Sequence, residues 1–223
     1  MRKFLLILIL TINFNNIAKS IDLPKYYQFP ENYLKGKYHE TTKNFFIVAT
    51  KKLKDTRFKN TVVVMLDHDE EGALGVVINK PLGFATIGSL IKSLNDDTIK
   101  KDLLNYKVPI YWGGPLDNNK ILIIHSKDYE NKNTKSYDKV SISNDYKALL
   151  DIAKKKGPIK SLVVIGVSAW TEGQLEGEID KGHWNLSEIT QDILFQEKNE
   201  KKHIMATDNS FVRLWKNTYL YLL

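Results

Sequence analysis

His68 stands in the run Asp67-His68-Asp69-Glu70-Glu71, one imidazole among four carboxylates. Such a mixture suits several divalent cations. Adjacent residues seldom all reach one ion, however, and no second histidine stands at i+2 or i+4. An acidic hairpin loop with a backbone-bonded histidine explains the run equally well, and no metal or cofactor is expected. The second imidazole of interest is His125, followed by Ser126. A Ser-His-Asp arrangement can be drawn from Ser126 or Ser168, His125 or His68, and Asp67. The strained elbow that would expose such a serine is missing, because Gly166-Val167-Ser168-Ala169-Trp170 lacks the second glycine. A hydrogen-bonded core histidine is therefore the expected fate of His125. Gly72, Gly75, Gly113 and Gly114 could approach a phosphate, yet neither G-x-x-x-x-G-K-[ST] nor G-x-G-x-x-G occurs. Glycines at strand ends more often serve bulges and close backbone approach. Trp112, Trp170 and Trp184 could line a pocket, but tryptophans near glycine turns usually pack in or around the core.

The elements that would carry these residues follow from patterning. Val163–Trp184 is the most informative stretch: an apolar strand from Ser161 to Val167, closed by Trp170, then a short helix. Thr171 and Gln174 have capping-box spacing, Leu175 and Ile179 share a helical face, and Gly182 supplies a left-handed stop. Strands are expected at 44–50, 61–66, 73–79, 108–112 and 120–125. The 61–79 stretch should form a hairpin with a longer loop, and 108–112 should pair with 120–125. Residues 80–83 break the pattern. Ile87, Leu90, Ile91 and Leu94 predict a helix over 86–95, and 96–105 holds another, short and Lys-rich. Residues 126–138 read as a mobile surface loop, 139–143 as an edge strand and 146–156 as a helix. Residues 186–195 read as a helix or turn, 197–202 as a charged bend, and Phe211, Leu214, Trp215, Tyr219 and Leu222 as a C-terminal helix face.

The 223 residues fit one domain with appendages. No cysteine is present, which excludes disulfides, thiolate metal sites and a Cys nucleophile. Residues 1–20 resemble a secretory leader: Arg2 and Lys3, an apolar run from Phe4 to Ile12, and small residues Ala18 and Ser20 before a cut at Ile21. Residues 21–43 read as an extended lead-in and 44–223 as the domain. The leader implies membrane contact during targeting and an exported or periplasmic protein. The formal charge of +7 includes three cations of the leader, Arg2, Lys3 and Lys19. Without an arginine cluster or interleaved basic and aromatic residues, direct nucleic-acid binding is not expected.

Three blocks resemble the YqgE/AlgH family. The first is TVVVMLDHDEEGALGVVINKPLG, with His68, Gly72, Ala73, Gly75, Asn79, Lys80 and Pro81 on the family pattern. The second, YWGGPLDNNKILIIHS, matches at Gly113, Gly114, Pro115 and His125. The third matches at Gly166, Trp170, Gly173, Gln174, Leu175, Glu176, Glu178 and Trp184. Ser168-Ala169 and Gly182-His183 depart from it. The blocks stand in family order over about 44–215. The resemblance implies an α+β fold, a single domain with a curled, barrel-like mixed β-sheet flanked by helices. It implies a cytoplasmic protein if residues 1–20 are not a leader. It brings the family's label of transcriptional regulator but no defined reaction. The expectation is a non-catalytic regulatory or protein-interaction domain with a protein partner. Its expected surface is formed by the turns at 72–75 and 113–115 and the Trp170–Trp184 segment. The alternative is a small-ligand binder or hydrolase using His68 and His125.

Overall fold

The computed structural model describes residues 41–91 and 99–210. The leader expected over 1–20, the part before 41 of the lead-in expected over 21–43, and the C-terminal helix expected after 210 lie outside these residues. The strands are β1 (Phe45–Ala49), β2 (Val62–Asp69), β3 (Gly72–Val77), β4 (Pro81–Thr86), β5 (Lys107–Trp112), β6 (Leu116–His125), β7 (Thr134–Ser136), β8 (Ser141–Ser143), β9 (Ser161–Thr171) and β10 (Trp184–Glu188). The helices are α1 (Ile87–Leu90), α2 (Lys101–Leu104), α3 (Tyr146–Ala153), α4 (Gln174–Asp180), α5 (Gln191–Leu194) and α6 (Asn199–Asp208). Together they form a curled half-barrel with flanking helices, as expected. None of the described helices is long and apolar enough to cross a membrane.

The strand order is β10-β1-β2-β3-β9-β6-β8-β7, with β5 added to β9 and β4 to β5. All pairs are antiparallel except β5 with β9. The long strand β9 is the spine. Residues 163–165 pair with β5 and residues 168–171 with β3, while β6 pairs with 161–165 and meets Val167. The apolar runs are continuous because both sheet faces are covered. Phe46, Val48, Val62 and Val64 enter one core cluster, and Ile47, Ala49, Val63 and Met65 the other. A third cluster lies under α1 and α3, around Ile87, Ile123, Leu149 and Val163.

Several sequence expectations are corrected. The 61–79 hairpin has a tight turn, not a longer loop, since Asp69 pairs with Gly72. Residues 81–86 form β4; their proline, glycine and exposed side chains hide the strand pattern. Of the helix expected over 86–95, α1 forms one turn at Ile87–Leu90 with Ile91 as its cap, and residues 92–95 lie outside the described residues. Strands β5 and β6 do not pair; each joins β9. The 126–138 loop contains β7, so β8 is not the edge. Residues 184–188 are a strand paired with β1, and the charged bend at 197–202 opens α6.

Candidate functional site

His68 lies near the end of β2, opposite Ala73, which in turn pairs with Trp170 on β9. Its side chain is 2% exposed. The Thr42 backbone N–H donates to Nδ1 over 2.9 Å, so Nδ1 is the acceptor and Nε2 carries the proton. Nε2 then donates to Glu176 Oε1 at 3.2 Å. Both ring nitrogens are engaged, which leaves no lone pair to act as a general base. The imidazole ties together the start of the described chain, β2 and α4. Thr41 adds a hydroxyl donated to the His68 carbonyl at 2.7 Å, and Lys43 pairs with Asp67 at 2.8 Å. The neighbouring acids do not converge on the imidazole. His68 turns inward between partly exposed Asp67 and exposed Asp69, whose Oδ1 accepts the Glu71 N–H at 2.9 Å. Among the described residues, no group of three or more His, Asp or Glu side chains is arranged to hold a metal ion.

Beside Glu176, a second carboxylate does more structural work. Glu178 Oε2 accepts the indole N–H of Trp170 at 3.1 Å and that of Trp184 at 2.7 Å. Oε1 accepts from Gln174 Nε2 at 3.1 Å. The two indoles meet edge to face at 6.0 Å, and Phe58 contacts both Trp184 and Trp112. Trp170 and Trp184 are thus core anchors for α4. The helix start differs from a full capping box. Gly173 is the N-cap, with φ of 68°, and only the Gln174 side chain reaches back, accepting the Thr171 N–H at 3.2 Å. The expected Gly182 stop is present, with φ of 70° and the His183 N–H donating to the Glu178 carbonyl. Replacing Glu178 with leucine should cost about 2–4 kcal/mol, because two buried indole donors lose their acceptor. Glu178→Gln, which keeps an acceptor oxygen, should cost about half that. Urea unfolding followed by tryptophan fluorescence measures both; a leucine variant of native stability would refute this role.

His125 is 0% exposed. Its Nδ1–H donates to the Ser126 carbonyl at 2.8 Å, so Nε2 accepts the Ser143 hydroxyl at 3.0 Å. Thr134 Oγ1 lies 2.8 Å from Ser143 Oγ and extends the chain to β7. Burial is the main cause holding the His125 pKa below its ordinary value, against the Ser126 carbonyl and Asp128. A hydroxyl bonded to an oriented imidazole is the arrangement of a serine nucleophile. Here Ser143 is as buried as His125, a backbone carbonyl replaces the orienting carboxylate, and the chain stitches β6, β8 and β7 together. The partner is Ser143, not Ser126. Nothing local in the sequence reveals it, because the β6–β8 register sets the contact.

The two histidines do not meet. His125 is paired with Ser161, and His68 lies two strands from Trp170, so nine residues of β9 separate them. Each imidazole has its own set of partners, so the register gives no support to a single hydrolytic or ligand site built from both.

The remaining motif positions serve strand crossings. Asn79 Oδ1 accepts the Val62 N–H at 2.9 Å and Nδ2 donates to the Asn60 carbonyl at 2.8 Å. The Lys80 carbonyl accepts from Trp112 N–H, and Pro81 starts β4 opposite Tyr111. Gly113 donates to the Ile165 carbonyl and accepts from Val77, so β3 and β5 abut on β9 at this residue. Gly113 and Gly114, just before Pro115, are buried under this junction, beneath the surface they were expected to form. Gly72 and Gly75 likewise allow close approach, to the Trp170 carbonyl and to Val63 and Met65.

A family model described as AlgH-like (DUF179) matches residues 46–214. The UPF0301 protein RP032 of Rickettsia prowazekii (strain Madrid E) is 35% identical over 147 residues, 65% of this chain and 75% of that protein. The UPF0301 protein Mmwyl1_0539 of Marinomonas sp. (strain MWYL1) is 32% identical over 179 residues, covering 76% and 89%. The solution structure of the AlgH protein from Pseudomonas aeruginosa superposes with a TM-score of 0.64 at 28% identity, covering 80% of this chain and 91% of that one. With a family model spanning most of its length and relatives above 30% identity, the chain belongs to the AlgH-like, UPF0301 family.

Proposed function

We propose that this chain is a non-catalytic protein-interaction domain with a regulatory role, and that its recognition surface is centred on β4. The observation that carries this reading is the exposure of Leu82 (55%) and Phe84 (75%) beside the Asn79-Lys80-Pro81 motif. Large apolar side chains grouped on a surface mark interaction sites more often than single ones do. The engagement of both imidazoles in internal hydrogen bonds supports the same reading. The partner is a protein, and the leader-like pattern of residues 1–20 supports an encounter outside the cytoplasm.

A photo-crosslinking amino acid at position 84 tests this in the producing cell, with position 159 as control. Ile159 is also strongly exposed, but among the described residues no other large exposed apolar side chain lies within ten positions of it in sequence. A discrete protein adduct at 84 and none at 159 is expected. No adduct at 84, or the same smear at both, would defeat the reading. N-terminal sequencing of the mature protein checks the location, with a start near Ile21 expected.

A further inference from the structure

We propose that β4 is a docking edge for an extended polypeptide with an apolar middle and acidic ends, which joins the sheet as the strand outside β4. The proposal rests on the interaction-domain reading and names the partner's chemistry.

Among the described residues the sheet has three outer strands, and two of them are protected. Strand β7 has three residues with Lys135 at its centre. Strand β10 meets Ser210 through a bridge at Ser187 and is packed by α6. Short length, a central lysine, a covering segment, an edge proline and a β-bulge all blunt an edge. Among the described residues β4 lacks the first three, and its proline and bulge sit at its start. It has six residues, Pro-Leu-Gly-Phe-Ala-Thr, without a charge, and among the described strands it pairs with β5 alone. Its irregularity is confined to the start, between Pro81 and Gly83; from Gly83 to Thr86 the ladder with β5 is regular. Phe84 is opposite Pro109, and Thr86 is opposite Lys107, so these four share one face.

Charge selects the occupant. Lys80 precedes the strand and exposed Lys107 flanks its far end, while β4 and β5 contain no acidic residue. A second copy pairing antiparallel would set Lys80 of one chain near Lys107 of the other, at both ends. Lys107 lies one strand behind β4, so the ammonium groups would gather at each end without standing directly opposite, and gathered like charges repel. Acidic residues at both ends of an incoming strand reverse that term, and its apolar middle would cover Phe84 and Leu82. A lipid surface fits less well. The outer backbone N–H and C=O groups of β4 would enter an apolar layer without partners, whereas a strand satisfies them.

The probe is a fluorophore-labelled peptide, acetyl-Asp-Val-Thr-Val-Thr-Val-Glu-amide, titrated against the full chain by fluorescence polarisation. Saturable binding is expected, at least tenfold weaker for Phe84→Ser and for Lys107→Glu. A probe with lysine at both ends should bind Lys107→Glu better than the native chain. Both substitutions are on exposed side chains, and circular dichroism checks that the fold is kept. Equal binding of the acidic and lysine probes, or no effect of Phe84→Ser, would overturn the proposal. Phe84-dependent binding to anionic phospholipid vesicles without peptide binding would overturn it in favour of a lipid surface. Failure of the probe while position 84 still crosslinks to a protein would overturn strand addition and leave the interaction reading standing.

Discussion

Gly114→Ala is expected to yield little folded protein. At this residue φ is +156°, and an ideal Cβ would lie 2.2 Å from both the carbonyl carbon and oxygen of Val167 and 2.4 Å from Ser168 N. Every one of these atoms is backbone of the spine strand, so no side chain can swing aside. Relief requires β9 to shift, and β9 also holds β3, β5 and β6. The expected loss is about 4 kcal/mol or more, in the range reserved for steric failures inside a core. Gly173→Ala is the matched control. Its φ of +68° is also left-handed, but nothing lies within 4 Å of the added carbon. Only the backbone strain remains, about 1–2 kcal/mol. Soluble yield and urea midpoints compare the two, and a Gly114→Ala protein unfolding at the native midpoint would contradict the close approach of Gly114 to β9.

The opposite sign is expected at Lys202. This α6 residue is 0% exposed, donates from Nζ to the Ile78 carbonyl at 3.1 Å, and lies 5.3 Å from the Tyr111 ring centre. Among the described residues no carboxylate pairs with it. Burial brings its pKa from 10.5 down to about 8. The folded protein therefore binds the proton less tightly than the unfolded chain. Below pH 8 both states are protonated and the full penalty applies, about 3 kcal/mol. Between about pH 8 and 10.5 the folded state releases the proton first, so stability from this group rises with pH. Above 10.5 the penalty is gone. Lys202→Met should thus gain about 2–3 kcal/mol at pH 7. Its advantage over the native chain should shrink to nothing by the upper end of that window. Urea titrations of both proteins from pH 7 to 11 supply the test. A variant that is less stable, or an advantage that does not vary with pH, would show that the ammonium is better solvated than its surroundings imply.

What could be read from the sequence depended on how each element is covered. The runs Phe45–Ala49 and Val62–Leu66 were legible because both of their faces are buried, which leaves no polar position to blur the strand pattern. The α4 face through Leu175 and Ile179 and its Gly182 stop were legible because both are local. Strand β4 was not, since it presents Pro81, Gly83 and Phe84 to solvent and takes its conformation from β5. Helix α6 was hidden by its polar composition; only Lys202 and Ala206 are buried in it, and a buried lysine reads as a surface residue. The motif residues were visible, but their partners were not. Glu178 under two indoles and Ser143 against His125 are contacts set by the register of the sheet. That is why glycine, proline and tryptophan read as a surface when most of them form the joint beneath it.

The late position of the spine strand bears on how the chain is made. Strands β3, β5 and β6 are all synthesised before residue 161, yet each has its neighbour in β9. Strand β1 waits longer still, for Trp184–Glu188. The chain must be made through residue 171, and through residue 188 for β1, before its halves can join. Until then the valine-rich hairpin of β2 and β3 lacks its later strands, an interval in which a chaperone can hold the nascent chain.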